Sequence, residues 1–291
     1  MSHRTVKHVD NDKSLYKGVC PLCNSNNIKK LFLKEGIPYK KCRSCKFKFS
    51  VPINNPNFQD SLNEYDNTQY LEDNIADRVN YQSIANWMNT YTDLTKQKIL
   101  DVGCGSGKFI RYLRNNSIEA YGIEPSKVLF DKYLSQETYF RKESIENLAS
   151  KGEKYSTIVL FDVLEHLESP KRFLDNASKL LKNGGHLFLS TIDAGSVLSM
   201  LFGKQWHFYN KYHLSYFSKA NIRDVCADCD LKILFIKNHG KYFSMDYIIQ
   251  YVQEFLFRKT ILSKNNKNNW LGRINVPLNT FEILYAVLKK G

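Results

Sequence analysis

The sequence predicts an α/β fold, an open and mostly parallel sheet with helices on both faces, preceded by a small separate module. Three observations support this prediction. Short apolar runs alternate with amphipathic segments from about residue 77 onward, which is the pattern of parallel strands joined by crossover helices. One run, residues 99–102, stops in three glycines at alternate positions. Four cysteines stand in two pairs near the N-terminus, in a stretch too short to bury a large core.

The composition limits the class of protein. A chain of 291 residues accommodates one large core and a small module. The net charge of +13 points only weakly to an anionic partner such as nucleic acid, because lysine is spread through the chain and not clustered. The sequence has no apolar run of about 18 residues and begins with polar sequence. We therefore expect no membrane insertion and a cytoplasmic protein with reduced cysteines.

Residues 1–52 contain two Cys-x2-Cys pairs, Cys20 with Cys23 and Cys42 with Cys45. This spacing is typical of a zinc ribbon, in which two turns present four thiolates to one ion. Four protein ligands leave no open position for water, so a structural Zn²⁺ is expected. Lysines and aromatic residues alternate in this module. They could hold nucleic acid, but a small core edged by lysines is the favoured interpretation.

The next segment, residues 53–76, contains Pro56 and many Asn and Asp residues. It is predicted to be a linker or a lid. In residues 77–91 apolar side chains recur at helical spacing, which predicts a helix that packs on the sheet.

The apolar run at residues 99–102 suits a buried strand, and the glycines after it allow a tight turn close to a ligand. They are Gly103, Gly105 and Gly107. Glu124 lies 17 residues beyond the last of them, at the end of the next apolar run. A carboxylate at the tip of a second strand can accept both ribose hydroxyls of a nucleoside. The turn lacks the Lys-Ser/Thr ending of a P-loop and the Gly-x-Gly-x-x-Gly order of a dinucleotide site.

Residues 100–107 resemble the first motif of the class I S-adenosylmethionine-dependent methyltransferases. The resemblance implies a Rossmann-like, seven-stranded methyltransferase sheet over residues 77–291 and S-adenosylmethionine as cofactor. In this family an aromatic residue before the first helix often covers the methionine end, as Tyr70 would. Ser144 takes the position that meets the adenine, where many members carry Asp; its hydroxyl can still make one hydrogen bond. The implied cofactor-binding residues are Tyr70, Asp101, Gly103, Gly105, Gly107, Glu124, Ser144, Ile145 and Phe161.

Residues 157–161 are the predicted fourth strand, and their carboxyl end should face the glycine turn, because ligands bind where strand order reverses. The next residues, 162–167, read Asp-Val-Leu-Glu-His-Leu. They resemble the matching motif of small-molecule methyltransferases such as the ubiquinone-pathway O-methyltransferases, and not the Asn/Asp-Pro-Pro-Tyr motif of many enzymes that methylate base amines. His166 is the first candidate base, with Asp162 as an orienting group or substrate contact. A histidine that only caps or packs is the alternative.

After a helix that begins near residue 170, residues 186–191 are the predicted fifth strand. Residues 192–218 then form an irregular stretch rich in aromatic residues and histidines. So long a loop after a strand end predicts an insertion that forms a wall of the substrate pocket. Its His213 is the second candidate base. Residues 213–218 resemble a segment common in methyltransferases of polysaccharide and lipid biosynthesis.

The C-terminal part completes the predicted sheet. Residues 231–236 are the sixth strand and residues 281–288 the seventh, which in this fold runs antiparallel between strands five and six. Cys226 and Cys229 form a third Cys-x2-Cys pair without a matching fourth, so core packing is expected and not metal binding. Residues 247–262 predict an amphipathic helix that lines the site or forms an oligomer contact. The oligomeric state stays open.

These features predict a zinc-ribbon methyltransferase that acts on an oxygen of a small-molecule acceptor, sugar-type or phosphorylated, in surface polysaccharide or related biosynthesis. In such a reaction positioning does most of the work, and a base need only remove a hydroxyl proton. An RNA methyltransferase, whose basic ribbon holds nucleic acid, is the first alternative. A ribbon-bearing adaptor that binds the cofactor without turnover is the second.

Overall fold

The computed structural model describes residues 18–51, 75–246, 248–249 and 270–291. The predicted linker at residues 53–76 lies almost wholly outside the described residues, as do Tyr70 and most of residues 247–262. Within the described part of the chain, no helix combines the length and the apolar character that crossing a membrane requires.

The N-terminal ribbon consists of three antiparallel strands, β1 (Ile28–Lys34), β2 (Ile37–Cys42) and β3 (Lys48–Ser50). β2 lies in the middle and pairs with both others. The turn between β1 and β2 is formed by Glu35 and Gly36, whose φ angles are 52° and 78°. Two successive positive φ angles are typical of a type I′ hairpin, whose twist matches that of the strands.

The rest of the chain alternates strands and helices, as the apolar pattern predicts. In chain order the regular elements are α1 (Ile75–Asn89), β4 (Ile99–Val102), α2 (Lys108–Asn115), β5 (Ala120–Ile123), α3 (Lys127–Leu129), β6 (Phe140–Arg141), α4 (Ile145–Ser150), β7 (Tyr155–Phe161), α5 (Pro170–Leu180), β8 (Leu181–Ile192), α6 (Val197–Phe202), β9 (Ser215–Tyr216), α7 (Lys219–Asp228), β10 (Leu231–Asn238), β11 (Lys241–Ser244), β12 (Asn275–Leu278) and β13 (Ile283–Lys290). Single turns of 3₁₀-helix include Leu164–His166, between β7 and α5.

Seven strands form the central sheet in the order β10-β13-β8-β7-β4-β5-β6. β4 pairs in parallel with β5 and with β7, and β7 pairs in parallel with β8. β13 runs antiparallel between β8 and β10. The predicted fold class is therefore confirmed, including the reversed seventh strand. The chain winds outward from β4 to β6 and then returns to β7, so strand order reverses between β4 and β7.

The central strands are apolar throughout because helices cover both faces of the sheet. All four residues of β4 are buried. On one face, side chains of α1 and α2 pack in a cluster with the strands, and Met88 and Ile110 are fully buried there. On the other face, α4, α5 and α7 contribute to a second cluster, which contains Leu148 and Leu174. Cys226 and Cys229 are buried in this second cluster, in agreement with the core packing expected for them.

Several elements differ from their predicted bounds: β8 begins at Leu181 and not at residue 186, and β13 spans Ile283–Lys290 and not residues 281–288. β6 contains only Phe140 and Arg141, and Tyr139 just before it packs its ring under the guanidinium of Arg114, 4.1 Å from the ring centroid. The second crossover helix is short: α3 has three residues and continues as a π-helical segment, Phe130–Leu134.

The ribbon is joined to the large sheet domain by a shared strand and a shared core. β3 pairs antiparallel with β9, so that Phe49 lies opposite Ser215. Phe47 of the ribbon packs against Phe217, with ring centroids 5.0 Å apart. The ribbon therefore has no core of its own, which is expected of so small a module.

The aromatic residues of the segment 192–218 carry most of this contact. The ring of Tyr39 lies 5.1 Å from that of Tyr209 and 5.8 Å from that of Tyr216, and Trp206 is fully buried in the same cluster. These side chains contact the ribbon and do not line the cavity described below, so the substrate-pocket wall stays a prediction for the segment 192–218. They are buried because the ribbon covers them, and the sequence alone gave no sign of that contact.

Candidate active site and metal centre

The four ribbon cysteines converge on one point. Their sulfur atoms all lie within 4.8 Å of one another, and the Sγ atoms of Cys20 and Cys45, like those of Cys23 and Cys42, are 3.6 Å apart. Thiolates bound to zinc at about 2.3 Å are about 3.8 Å apart in a tetrahedron. The cysteines thus fit a closed tetrahedral zinc site, as their spacing predicts.

The two cysteine turns have the same local geometry. Asn24 follows Cys23 with φ 58°, and Lys46 follows Cys45 with φ 63°. A left-handed residue at this point folds the chain back sharply, so that both sulfurs of each pair face the same side. The sequence therefore forms two equivalent turns, and the four sulfur atoms face one point.

The second site is a cavity of about 440 Å³ at the carboxyl ends of β4, β5 and β7. The turn after β4 forms its floor. Gly103 and Cys104 both donate backbone N–H groups to the carbonyl of Ile123, at 2.9 and 3.1 Å. These bonds fix the glycine turn beside the end of β5, where Glu124 follows.

Two of the three glycines occupy positions where a side chain would be strained and crowded. Gly103 has φ +76°, and a Cβ there would lie 3.1 Å from Val163 on the far side of the turn. Gly107 has φ +75°, and a Cβ there would lie 2.7 Å from Leu134. Gly103 keeps the cavity open toward a ligand, whereas Gly107 lets α2 begin close to the sheet.

The carboxylate of Glu124 is held at the cavity by backbone groups. Its Oε2 accepts a hydrogen bond from the N–H of Gly105 at 3.0 Å, and its Oε1 accepts one from the N–H of Ser126 at 2.8 Å. Asp101 is buried behind it and does not line the cavity. Burial, and then the charge of Glu124, raise the pKa of Asp101 to about 7. Near neutral pH Asp101 is therefore partly protonated, and Glu124 is the carboxylate that faces the cavity.

The lining of the cavity carries a negative charge pattern. Four lining residues have carboxylates, and the described lining contains neither lysine nor arginine. The lining residues with carboxylates are Glu124, Glu143, Glu146 and Asp162. Phosphate sites in proteins present cations or clustered N–H donors. Two of the four carboxylates are paired with cations outside the lining, Asp162 with Lys241 and Glu143 with Lys151. The lining therefore disfavours a phosphate group.

At the other end of the cavity, Asp162 follows β7 with φ 55° and lines the pocket. Its carboxylate accepts hydrogen bonds from the hydroxyl of Ser190 and the ammonium of Lys241, both at 2.7 Å. Desolvation favours the protonated acid, but Lys241 and Ser190 outweigh it and hold the pKa of Asp162 below its ordinary value. Asp162 is therefore an ionised group of fixed orientation.

His166 also lines the cavity. Its Nδ1 lies 3.0 Å from the carbonyl of Tyr212, and because a carbonyl can only accept, Nδ1 carries the hydrogen. His213 stands behind it, with the two rings 5.0 Å apart, and does not line the cavity. Burial, and then the neighbouring His166, lower the pKa of His213 to about 3, so this ring is neutral.

The structure thus divides the predicted site residues into groups. Those that line the cavity are Gly103, Gly105, Glu124, Ser144, Ile145, Asp162 and His166. Those that do not are Asp101, Gly107, Phe161 and His213. Phe161 instead packs its ring between Phe109 and Tyr285, at 5.7 and 6.2 Å. Tyr70 lies outside the described residues.

Two residues of this region are missing from the sequence prediction. Lys241, the partner of Asp162, is on β11, 79 residues further along the chain, and no local pattern marks it. Glu165 is 3% exposed and accepts a hydrogen bond from the hydroxyl of Thr191 at 2.8 Å. Burial, and then Asp162, raise its pKa. The sequence does contain a signal for Glu165. This carboxylate directly follows two apolar residues, Val163 and Leu164, and a carboxylate in a buried turn is unusual.

The geometry of the ribbon cysteines makes a testable prediction. Wild-type protein should contain one zinc ion per chain, and Cys42→Ser should lose most of it, because three thiolates hold the ion far less well than four. Cys226→Ser is the matched control and should keep its zinc. Metal analysis of purified protein checks this. Unchanged zinc in Cys42→Ser, or a loss in Cys226→Ser, would place the ion elsewhere.

Two curated proteins are similar in sequence to parts of the chain. It is 31% identical over 106 residues to a ubiquinone biosynthesis O-methyltransferase of Coxiella burnetii, a match that covers 34% of this chain and 45% of that protein. It is 28% identical over 114 residues to a tRNA U34 carboxymethyltransferase of Campylobacter hominis, over 37% of this chain and 40% of that protein. The chain thus spans less than half the length of these curated relatives.

The fold has counterparts among solved structures. One is magnesium protoporphyrin IX methyltransferase of Synechocystis with bound SAH, which matches 81% of this chain and 97% of its own, with a TM-score of 0.54 and 14% identity. At this identity the likeness concerns the fold alone. A family model of the methyltransferase domain matches residues 68–235, more than half of the chain, including the whole cavity wall from the glycine turn to α5. On this match the chain belongs to the methyltransferase-domain family.

Proposed function

We propose that the protein is an S-adenosylmethionine-dependent methyltransferase that acts on an oxygen of a small acceptor. The observation that carries the proposal is the cavity between the glycine turn and Glu124, which is lined by carboxylates and lacks lysine and arginine among its described residues. A nucleoside with a positively charged sulfonium suits this lining, whereas a dinucleotide or a nucleoside triphosphate would bring phosphate charge against it.

The cofactor-binding roles follow from position. Glu124, at the tip of β5, would accept the ribose hydroxyls, and the turn at Gly103 and Gly105 would pass close to the ligand. Ser144 and Ile145, at the start of α4, line the cavity where the adenine would lie. When bound, S-adenosylmethionine supplies an electrophilic methyl group. The residues of the chain bind and orient it.

The acceptor end is formed by Asp162 and His166. His166 holds its Nδ1 hydrogen on the carbonyl of Tyr212, so its Nε2 is the basic nitrogen and can take a hydroxyl proton. Asp162, ionised and fixed by Lys241, orients a polar acceptor. A small-molecule acceptor, sugar-type or phosphorylated, is supported by the name of the Coxiella relative and by the resemblance of residues 162–167 to small-molecule enzymes. The zinc ribbon then supports the acceptor side of the domain.

RNA is the second candidate acceptor. Exposed basic residues on the ribbon favour it: Lys29, Lys30, Arg43 and Lys46. The tRNA-modifying Campylobacter relative adds to this. Binding that depends on phosphate contacts weakens steeply as salt rises. RNA affinity that stays weak at all salt concentrations would leave the small-molecule proposal in place.

Glu124→Ala tests the cofactor site. The loss of a charged hydrogen-bond acceptor should weaken S-adenosylmethionine binding by about 1.5–3 kcal/mol, measured by calorimetry. Glu119→Ala is the matched control, because its carboxylate contacts the hydroxyl of Tyr121 outside the cavity. Wild-type affinity in Glu124→Ala would contradict the assignment.

His166→Ala tests the acceptor end. With an acceptor found by incubating labelled cofactor with pools of sugar nucleotides, phosphorylated metabolites and RNA, turnover should fall by about 100-fold or more while cofactor affinity is unchanged. His186→Ala is the control, since His186 lies on β8 away from the cavity. Turnover near that of the wild type in His166→Ala would mean that positioning alone accounts for catalysis.

A further inference from the structure

Three side chains behind the acceptor end of the cavity converge in the way that metal ligands do. One ligand atom from each of Glu165, His166 and His213 lies within 4.8 Å of the others. Ligand atoms bound to a first-row metal ion at about 2.1 Å are about 3–4 Å apart. Small side-chain rotations are therefore enough to bring these three atoms around one ion.

The hydrogen bonds of the two histidines set their tautomers. The Nδ1 atom of His166 faces the carbonyl of Tyr212 at 3.0 Å, and that of His213 faces the carbonyl of Phe208 at 2.9 Å. Carbonyl oxygens only accept, so both Nδ1 atoms carry hydrogen and both Nε2 atoms carry the lone pair. A ring that donates its Nδ1 hydrogen to a carbonyl and keeps the lone pair on Nε2 is the usual arrangement of a metal-binding histidine.

The carboxylate is held in a similar way. Glu165 is 3% exposed, and its Oε2 accepts a hydrogen bond from the hydroxyl of Thr191 at 2.8 Å. Its backbone carbonyl accepts a bond from the N–H of Leu214 at 2.7 Å, which fixes the turn bearing Glu165 to the segment bearing His213. Removing a carboxylate from water costs several kcal/mol unless a positive partner offsets it. A divalent cation between Glu165 and the two imidazoles would be such a partner.

The ribbon helps to hold this arrangement. The hydroxyl of Ser50, on β3, donates to the carbonyl of His213 at 2.9 Å, and the hydroxyl of Tyr216 donates to the same oxygen at 2.8 Å. The hydroxyl of Ser215 donates to the carbonyl of Leu167 at 2.8 Å. Both ends of the cluster are thus fixed by backbone contacts, which is what a preorganised ligand set requires.

We propose that Glu165, His166 and His213 form a second metal site, separate from the four cysteines, that binds a divalent first-row transition metal ion. Two imidazoles and one carboxylate leave coordination positions open. His166 lines the cavity, so the open positions would face the acceptor. The ligand class is then a hydroxyl-bearing acceptor whose oxygen can coordinate the ion.

The role that we give the ion rests on the proposed methyl transfer. Binding of the ion to the three side chains does not depend on that proposal. When bound, the ion would lower the pKa of a coordinated hydroxyl, and the hydroxyl proton would pass to solvent water. The acceptor oxygen would then form its bond to the methyl carbon as the carbon–sulfur bond breaks, and the sulfonium would leave as a neutral thioether. In the metal-bound protein His166 would hold the ion, whereas in the metal-free protein it would be the base.

The test is a titration with Co²⁺ of protein that holds one equivalent of zinc, so that only the four-cysteine site is filled beforehand. We expect wild type to bind one Co²⁺ beyond the ribbon zinc, with the weak visible absorption of nitrogen and oxygen ligands and without the intense bands of thiolate ligands. Glu165→Gln and His213→Ala should weaken this binding by at least about tenfold. His186→Ala is the matched control and should bind as the wild type does.

Circular dichroism and cofactor calorimetry show whether each variant is folded. If His213→Ala does not fold, the isosteric Glu165→Gln still tests the site. Absence of the extra Co²⁺ in wild type, or equal affinity in folded Glu165→Gln, would overturn the proposal. The two proposals fail separately: a protein that binds Co²⁺ here but no S-adenosylmethionine contradicts only the proposed function.

Discussion

The parallel pairing of β4 with both β5 and β7 is the constraint on which the site depends. Val102 lies opposite Ile123, and Asp101 lies opposite Val159. This register ends β4 and β5 side by side and lets β7 run one residue further, so that Glu124 and Asp162 both follow strand ends next to the glycine turn. The place of these two carboxylates therefore depends on the register of the three strands.

The ribbon contributes to the acceptor side through the segment that it covers. Pairing of β3 with β9 and the buried ring of Trp206 hold that segment against the sheet domain. Lys34 and Lys48 add hydrogen bonds to backbone carbonyls of Tyr209 and Ala194. The four cysteines are distant in sequence from the cavity, yet the ribbon that carries them contacts the backbone of His213 through Ser50. The ribbon is therefore in a position to hold this backbone in place.

The sequence predicts those features that depend on short spacing. The glycine turn, Glu124 and the cysteine pairs are local patterns with a single geometric meaning, and the structure brings each set together. Contacts between distant segments were not predictable. The sequence around Trp206 is equally compatible with aromatic side chains that line a pocket and with aromatic side chains that contact the ribbon. No local sequence pattern marks Lys241 as the partner of Asp162. Asp101 and Gly107 belong to the same motif as Gly103, but a motif does not show which of its members face inward.

The most direct measurement is calorimetry of zinc-loaded wild-type protein with S-adenosylmethionine, S-adenosylhomocysteine, ATP and NAD⁺ under one set of conditions. A cavity lined by carboxylates should bind S-adenosylmethionine at one per chain and should be competed by S-adenosylhomocysteine, while ATP and NAD⁺ produce no binding heat. Preferential binding of ATP or NAD⁺, with none of S-adenosylmethionine, would contradict the assignment of the cavity.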